Sequence, residues 1–555
     1  MIFAAGAFVG PSIDWYKMSP ALVLVAGALG LILVGALTPQ WRKGAYGFVA
    51  AASAGAAAVL TGMLWANLGE NGTPSTLIGD ALSFDHFSLF ATFTIAVATL
   101  LAILVTNDYL EREDEDGPEV YALILASAVG GVMMAQANDL IVLFLGLEIL
   151  SLSFYLLVAS NRNRAQSGEA GLKYFILGGF ASAFFLYGVA LVFGSTGSTN
   201  LATIGTTLAG QHPGNHSALL LAGVAMLLVG FAFKVSLVPF HAWTPDVYQG
   251  APTPITALMG SVGKVAAFAA LLRVFTVALP SRADDWGPVV LVLAIATLLV
   301  GSVLAVIQTD VKRMLAYSSI SHAGFILVGL EATSHISNAD SSLGVSSAMA
   351  YLFVYGVLVV GTLAVVSFVA GRGDNATTLG AFNGLGKTNP VLALGMTVLL
   401  LAQAGVPTTS GFVAKFGIIR ASVSVESYVL AVVAMLAAVI AAFLYLRIMV
   451  SMWLSEPAST ERREIPAASG IAIAVTVAAT LVVGFIPSLV LSAAANILLR
   501  SNLAPAIKLS FGFGVHSFCT KTYEMVFLFV FLMLSYLVEL ASSIVCPPPI
   551  ESLLL

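Results

Sequence analysis

Long apolar segments separated by short polar loops dominate the sequence. Apolar runs fall near residues 20–38, 45–67, 86–106, 119–136, 139–160, 171–194, 218–240, 254–278, 287–308, 312–330, 346–370, 390–420, 427–454 and 467–498. A helical run of about 20 residues crosses roughly 30 Å of hydrocarbon. The runs do not alternate with period two, which argues against a β-barrel. The pattern therefore predicts an all-α polytopic membrane protein with about 14 transmembrane helices.

Basic residues indicate the orientation of these helices. Loops after odd-numbered runs carry Arg42, Lys43, Arg112, Arg162, Arg164, Lys312, Arg313, Arg372, Lys387, Arg462 and Arg463. The loops on the other side carry little beyond Arg282 and Arg420. Lys and Arg are enriched in cytoplasmic loops. We therefore expect the odd loops to be cytoplasmic and the N-terminus to lie outside.

The order of the runs suggests an internal duplication. A three-helix segment (1–118) precedes helices four to eight (119–278) and helices nine to thirteen (287–454), and 467–498 forms the fourteenth helix. Two five-helix repeats would be inverted, because each holds an odd number of spans. Proline interrupts one run in each repeat, at Pro239 in helix seven and Pro407 in helix twelve. We expect both helices to be broken there.

The C-terminal tail differs in composition from the rest of the chain. Residues 1–499 are rich in Ala, Gly and Val, whereas residues 500–555 turn to Phe, Leu, Ser and Cys. The segment 524–546 is apolar enough to be a possible fifteenth span, although Glu539 lies inside it. We assign no function to this tail.

Composition narrows the functional class. The chain is 59% hydrophobic and 9% charged, with a formal net charge of −5, and it has no basic cluster that would suggest nucleic acid. The lipid bilayer is its expected environment. Both cysteines, Cys519 and Cys546, lie in the tail. Residues 1–518 therefore cannot supply thiolates to an iron–sulfur cluster or zinc site. We expect no metal or cofactor in this chain.

Four charged residues lie inside predicted spans: Glu148, Lys234, Lys264 and Lys415. Each costs about 2.5–3.5 kcal/mol at mid-bilayer on insertion scales, so we expect them to face one another or water. Structural salt bridges are one interpretation. However, there are three lysines and one obvious acid, and burial without a counter-charge favours the neutral form of a lysine. Such a lysine exchanges its proton near neutral pH, so the row predicts a proton path.

Other ionisable residues allow two interpretations each. His322 lies near mid-membrane and is either a proton relay or a neutral packing residue bonded to serine. Lys173 and Arg447 lie toward helix ends and are expected only to reach the interface. His241 follows Pro239 and is expected to line a cavity or to bond freed carbonyls. The histidine spacing does not fit a zinc motif.

Two segments carry a family resemblance. KVSLVPFHAWTPDVYQGAPTPITALMGSVGK (234–264) and DVKRMLAYSSISHAGFILVGL (310–330) resemble the antiporter-like membrane subunits of respiratory complex I. GLEILSLSFYLLVA and PDVYQGAPTP are most similar to the subunit N branch of NADH-quinone oxidoreductase. Lys415 agrees with that branch, because M-type chains typically carry glutamate there. The resemblance covers about 100–498, and the tail departs from it.

The resemblance implies a fold, a role and partners. The fold implied by this family has fourteen helices, two inverted five-helix repeats and breaks in helices seven and twelve. Glu148 and Lys234 would form a modulating pair, Lys264 would lie centrally, and Lys415 would be the terminal proton-exchanging lysine. NADH, FMN, iron–sulfur clusters and quinone would be bound by other subunits of complex I in a bacterial plasma (inner) membrane. The alternatives are an Mrp-like cation/proton antiporter, a membrane-bound hydrogenase arm subunit, and a structural spacer.

Overall fold

The computed structural model describes residues 12–39, 41–42, 44–69, 73–115, 117–210, 217–335, 342–457 and 464–497. The α-helices in these residues are α1 (Ser19–Leu37), α2 (Ala45–Leu68), α3 (His86–Glu113), α4 (Pro118–Gln136), α5 (Leu140–Val158), α6 (Ala165–Thr196), α7 (Leu201–Ala209), α8 (Ala218–Val235), α9 (Trp243–Gly250), α10 (Thr253–Leu258), α11 (Lys264–Arg273), α12 (Ala283–Val306), α13 (Val311–Thr333), α14 (Ser342–Ala370), α15 (Leu385–Thr388), α16 (Pro390–Ala404), α17 (Ser410–Ser424), α18 (Tyr428–Leu454), α19 (Ala467–Phe485) and α20 (Ser488–Ala495).

The prediction of an all-α polytopic membrane protein is confirmed. Within the described residues, 13 helices are long and apolar enough to cross a membrane. The predicted run 390–420 is instead two shorter helices, α16 and α17. The possible fifteenth span, both cysteines and the rest of residues 500–555 lie outside the described residues. A two-stranded hairpin of β1 (Ser75–Leu77) and β2 (Leu82–Phe84) was not predicted, because its strands have three residues each.

Acidic N-caps fix the start of several spans. Asp85 caps α3 in a capping box with Ser88, in which each side chain binds the other residue's backbone N–H. Asp139 and Asp310 cap α5 and α13 in the same way, by accepting hydrogen bonds from first-turn N–H groups. Such caps satisfy donors that have no partner within the helix. The loop-to-helix transitions are therefore set by the local sequence.

The chain leaves helical geometry at both predicted proline sites. Helix α8 ends at Val235, Ser236 adopts a left-handed conformation (φ 66°), and helix resumes at Trp243 in α9. Helix α16 ends before Gly405, which has φ 92°. A Cβ on Gly405 would also lie 2.9 Å from Cδ of Lys415, so glycine suits both the conformation and the space. The inverted repeat relating these two sites remains a prediction.

The most buried spans lie at the centre of the bundle. The span from α10 to α11 is fully buried, and α13 and α14 are buried along nearly their whole length. Two π-helical turns, Met259–Gly263 and Val274–Ala278, interrupt the first of these spans. By contrast, α1, α6 and α19 expose most of their surface. Lys264 and His322 therefore lie on the helices that are farthest from lipid.

One end of the bundle collects most of the loop arginines and lysines, and we call it the basic end. There Asp374 lies 3.4 Å from Lys312 Nζ and 3.9 Å from Arg164 Nη1. Arg372 pairs with Asp114 at 3.0 Å at the same end. This arrangement agrees with the alternating loops that the sequence predicts, since all five residues, three basic and two acidic, come directly after odd-numbered predicted runs.

Candidate functional site

Lys234 lies in the last turn of α8 and is 6% exposed. Its Nζ donates hydrogen bonds to Ser151 Oγ at 2.7 Å and to the Tyr174 hydroxyl at 3.3 Å. The nitrogen also lies 5.7 Å from the centroid of the Phe154 ring. Helix C-termini and aromatic faces both stabilise cations. The pocket therefore accommodates either protonation state of Lys234 without a direct carboxylate contact.

Glu148 lies on α5, three residues before Ser151. Its Oε1 is buried and accepts no hydrogen bond in the described part of the chain. The carboxylate nevertheless interacts electrostatically with Lys234. Ser151, whose hydroxyl donates to the Leu147 carbonyl oxygen at 2.5 Å, is the direct partner of the lysine. The two residues that the resemblance implies as a pair are thus close, but they are not joined by an ion pair.

Lys264 follows the first π-helical turn and is 2% exposed. Its Nζ donates to the Ser319 carbonyl oxygen at 2.7 Å and to the Val235 carbonyl oxygen at 3.3 Å. Val235 is the residue after Lys234 and the last residue of α8. Helix termini leave carbonyl groups without intrahelical partners. The break in the chain therefore supplies an acceptor that connects the surroundings of two lysines.

His322 binds two tyrosines through its two ring nitrogens. Nδ1 lies 2.7 Å from the Tyr351 hydroxyl, and Nε2 lies 3.1 Å from the Tyr445 hydroxyl. The Tyr445 hydroxyl also lies 2.5 Å from Ser318 Oγ. All four side chains are buried. The cluster is a connected set of groups that can each give and receive a proton.

Lys415 lies on α17 and is 6% exposed. Its Nζ donates to the Gln403 and Ala404 carbonyl oxygens, both at 2.9 Å, which end α16. The nitrogen also lies 5.0 Å from the centroid of the Phe325 ring. Like Lys264, Lys415 thus bonds carbonyl groups that a helix break has freed.

Helix α13 places these groups in order. Three positions of α13, spaced three residues apart, carry the contacts. Ser319 binds Lys264 through its carbonyl oxygen, His322 binds the two tyrosines, and the Phe325 ring lies under the Lys415 ammonium. Residues three apart share a helix face, and six residues span about 9 Å along the axis. The predicted residues Lys264, His322 and Lys415 therefore come together along one face of α13, with Lys234 and Glu148 on the side of α8 and α5.

None of the three lysines forms an ion pair with a described residue. Their hydrogen-bond partners are hydroxyl and carbonyl oxygens, which are neutral. Structural salt bridges therefore do not explain why these lysines are buried. Likewise, no group of three or more His, Cys, Asp or Glu side chains in the described residues is placed to hold a metal.

Two other buried cations, unlike the three lysines, form ion pairs. Arg273 forms a two-pronged ion pair with Asp85 at 2.8 and 2.9 Å, and Lys312 pairs with Asp374. The sequence interpretation missed both pairs, although Arg273 shows the same signal as Lys264, a charge within an apolar run.

Lys173 and Arg447 were expected only to reach the interface. Lys173 is half-exposed and pairs with Asp246. Arg447 donates to the Val306 and Gln308 carbonyl oxygens at the end of α12.

Comparison with known proteins assigns this chain to a family. The family model described as "NADH:quinone oxidoreductase/Mrp antiporter, TM" matches residues 137–441. NADH-quinone oxidoreductase subunit N of Trichlorobacter lovleyi is 38% identical over 485 residues, which cover 86% of this chain and 96% of that protein. The Mycobacterium tuberculosis subunit N is 38% identical over 534 residues, covering 87% and 98%.

The chain belongs to the NADH-quinone oxidoreductase subunit N family. The resemblance predicted from residues 234–264 and 310–330 is thereby confirmed. A chain of respiratory complex I from Thermus thermophilus with bound Aureothin superposes with a TM-score of 0.72 and 30% identity, covering 86% of this chain and 99% of that chain. A chain of the Mrp complex from Dietzia gives a TM-score of 0.78 at 20% identity, covering 87% and 97%, which shows a shared fold.

Proposed function

We propose that this chain is a proton-translocating membrane-arm subunit of an NADH-quinone oxidoreductase. The observation that carries the proposal is the row of three buried lysines, Lys234, Lys264 and Lys415, whose described partners are all neutral oxygens. Membership of the subunit N family supports the proposal, because a row of buried lysines fits a subunit of a complex that couples NADH oxidation to proton translocation. We assign the relay to these lysines together with Glu148 and His322.

Lys264 and Lys415 have opposing influences on their protonation. Burial disfavours the ammonium form, whereas the carbonyl oxygens at the end of α8, for Lys264, and of α16, for Lys415, favour it. A small displacement of either helix end relative to Lys264 or Lys415 would change the balance. A change in the position of Glu148 would do the same for Lys234, because the carboxylate acts on that lysine through space.

The proton would then move along α13. It passes from Lys234 to Lys264, whose partner Val235 connects the two environments. From Lys264 it reaches the cluster of His322, Tyr351 and Tyr445, and then Lys415. Water molecules complete the steps that direct hydrogen bonds do not span. His322 acts here as a relay rather than only as a packing residue.

The finer assignments follow from the same proposal. The chain would carry out no redox step itself, and NADH, FMN, iron–sulfur clusters and quinone would be bound by other subunits. Its partners would be other membrane-arm subunits of complex I. The basic end would face the cytoplasm of a bacterial cell, which places the N-terminus outside the plasma membrane.

The test compares Lys234→Ala with Lys387→Ala in the assembled complex. Lys387 is half-exposed at the basic end and pairs with Glu456 at 2.8 Å. Lys387→Ala therefore removes one lysine charge, as Lys234→Ala does, but leaves the proposed relay residues intact. We expect Lys234→Ala to lower the number of protons translocated per NADH oxidised, and Lys387→Ala to leave it unchanged. Unchanged translocation by assembled Lys234→Ala complexes would favour a structural spacer. Sodium-dependent transport by the isolated chain in vesicles would favour an antiporter.

A further inference from the structure

Glu331 is a buried carboxylate that the relay described above does not use. It lies near the end of α13 opposite the basic end, and its side chain is 4% exposed. Its Oε1 lies 3.0 Å from His335 Nε2 and accepts a hydrogen bond from Ser427 Oγ at 3.0 Å. Its Oε2 is buried and has no hydrogen-bond partner among the described residues. Leaving such an oxygen buried without a donor is unfavourable, and more so when the carboxylate is charged.

The position of Glu331 relates it to Lys415. Phe325, over which the Lys415 ammonium lies, precedes Glu331 by six residues on α13, which is about 9 Å along the axis. Glu331 also binds Ser427, which lies in the connection between α17, the helix of Lys415, and α18. It is therefore about two turns farther from the basic end than Lys415, and on the same pair of helices.

A polar side chain, Ser347, lies beside the interval between the two residues. Ser347 on α14 packs against Gly417, which is two residues beyond Lys415 on α17. The Ser347 hydroxyl would lie 3.6 Å from a Cβ added at Gly417. Two water molecules, joined to each other and to the two end groups by three hydrogen bonds of ~2.8 Å, would span about 8 Å of this interval. At the far side, His335 is 40% exposed although its partner Glu331 is buried. The pair thus joins the interior of the bundle to water.

We propose that Glu331 is the proton-release group of this chain. The proton that leaves the Lys415 ammonium protonates Glu331 at Oε2, which accepts no hydrogen bond from a described residue. It then passes through the His335 imidazole to water at the end of the bundle opposite the basic end. The inference rests on the proposed function, because it gives Lys415 the role of donor.

A structural role is the competing explanation. Glu331 bonds His335 and the α17–α18 connection, and such bonds also hold a loop in place. The experiment therefore needs readouts that loop stability does not change. Glu426 offers a matched control, because it is an exposed carboxylate next to Ser427 in the same connection.

The experiment measures protons translocated per NADH oxidised by assembled complexes in sealed vesicles. We expect Glu331→Gln to lower this ratio to the level of Lys415→Ala, Glu331→Asp to recover part of it, and Glu426→Gln to match the wild type. A wild-type ratio for Glu331→Gln beside a low ratio for Lys415→Ala would overturn the inference and leave the proposed function standing. Wild-type ratios for both would overturn the proposed function as well.

A second variant keeps the test decisive if Glu331→Gln fails to assemble. His335→Ala removes a half-exposed side chain and retains the carboxylate. We expect a lower rate of proton translocation that imidazole, added on the side of proton release, restores. A rate that is unchanged, or that is lowered and not restored by imidazole, contradicts the proposal, because a purely structural histidine is not replaced by a freely diffusing base.

Discussion

Lys264 Nζ donates a hydrogen bond to the carbonyl oxygen of Val235, the residue that follows Lys234 and ends α8. This contact makes the break after α8 part of the environment of both lysines. It also explains why a helix interruption and a buried charge occur together. The interruption frees a carbonyl group, and the neighbouring lysine is the donor that satisfies it.

Lys264→Met tests this link. The methionine fills a similar volume but removes the donor to the Val235 and Ser319 carbonyl oxygens. The Val235 carbonyl oxygen, at the end of α8, has no N–H partner within its helix, so the loss of its donor costs about 1–3 kcal/mol. It also removes a proton carrier, and a positioned acid or base typically contributes 10²–10⁴-fold to a proton transfer. We expect proton translocation at least tenfold slower. Lys264→Arg, which stays charged, should bind the carbonyl groups and still translocate slowly; normal translocation by Lys264→Arg would contradict a titrating role.

Ser151→Ala tests the direct partner of Lys234. The change removes one hydrogen bond to the ammonium, worth about 1.5–3 kcal/mol for a charged donor, and leaves Glu148 in place. We expect a lower translocation rate with a normally assembled complex, measured by acidification of the vesicle interior per NADH oxidised. Ser153→Ala is the matched control, since Ser153 lies on the same helix and donates only to the Ile149 carbonyl oxygen.

Tyr445→Phe tests the His322 cluster. It removes the hydroxyl that contacts His322 Nε2 and Ser318 Oγ and retains the ring. We expect slower proton translocation with little change in the thermal unfolding midpoint of the complex, because the packed volume is conserved. If translocation stays normal while the midpoint falls, His322 is a packing residue in a structural network and not a relay.

Arg273→Met tests the ion pair that the sequence interpretation missed. Removing one partner of a buried pair costs about 3–5 kcal/mol of unfolding free energy. Arg372→Met, at an exposed pair, should cost at most about 1 kcal/mol. Thermal unfolding of the purified complex at pH 7 measures both.

The same pair has a defined pH dependence. Burial raises the pKa of Asp85, but the Arg273 guanidinium outweighs it and holds the pKa below the ordinary value of 3.8. A depressed carboxyl pKa contributes stability that is present above the unfolded-state value and is lost as the pH falls through the folded-state value. The destabilisation by Arg273→Met should therefore shrink below about pH 4. An equal loss of stability at pH 7 and at lower pH would contradict an ion pair.

The cost of a charge in lipid is the physical reason why the candidate lysines can be picked out from the sequence alone. A lysine within an apolar run is costly in lipid, so Lys234, Lys264 and Lys415 are conspicuous without any structure. The same reasoning finds Pro239, because proline marks a possible helix break. The boundaries are less predictable; α8 ends at Val235, earlier than the apolar run does, because Ser236 takes a left-handed conformation.

The partners of these residues could not be predicted. Arg273 and Asp85 are 188 positions apart, and no local periodicity records which helix packs beside which. The bonds from Lys264 and Lys415 go to backbone carbonyl groups, which every residue has. The sequence does not single out Glu331, because it lies just beyond the apolar run 312–330, where a charged side chain is expected to reach water. In the structure the Glu331 side chain is buried.

The most direct test of the central claim is the ratio of protons translocated to NADH oxidised by a complex that carries Lys415→Met. The variant removes a titratable group whose ammonium binds the Gln403 and Ala404 carbonyl oxygens of α16 and lies over the Phe325 ring. If Lys415 carries protons, the ratio falls below that of the wild type and of the Lys387→Met control, in complexes that still assemble and oxidise NADH. A wild-type ratio in assembled Lys415→Met complexes would contradict this role of Lys415.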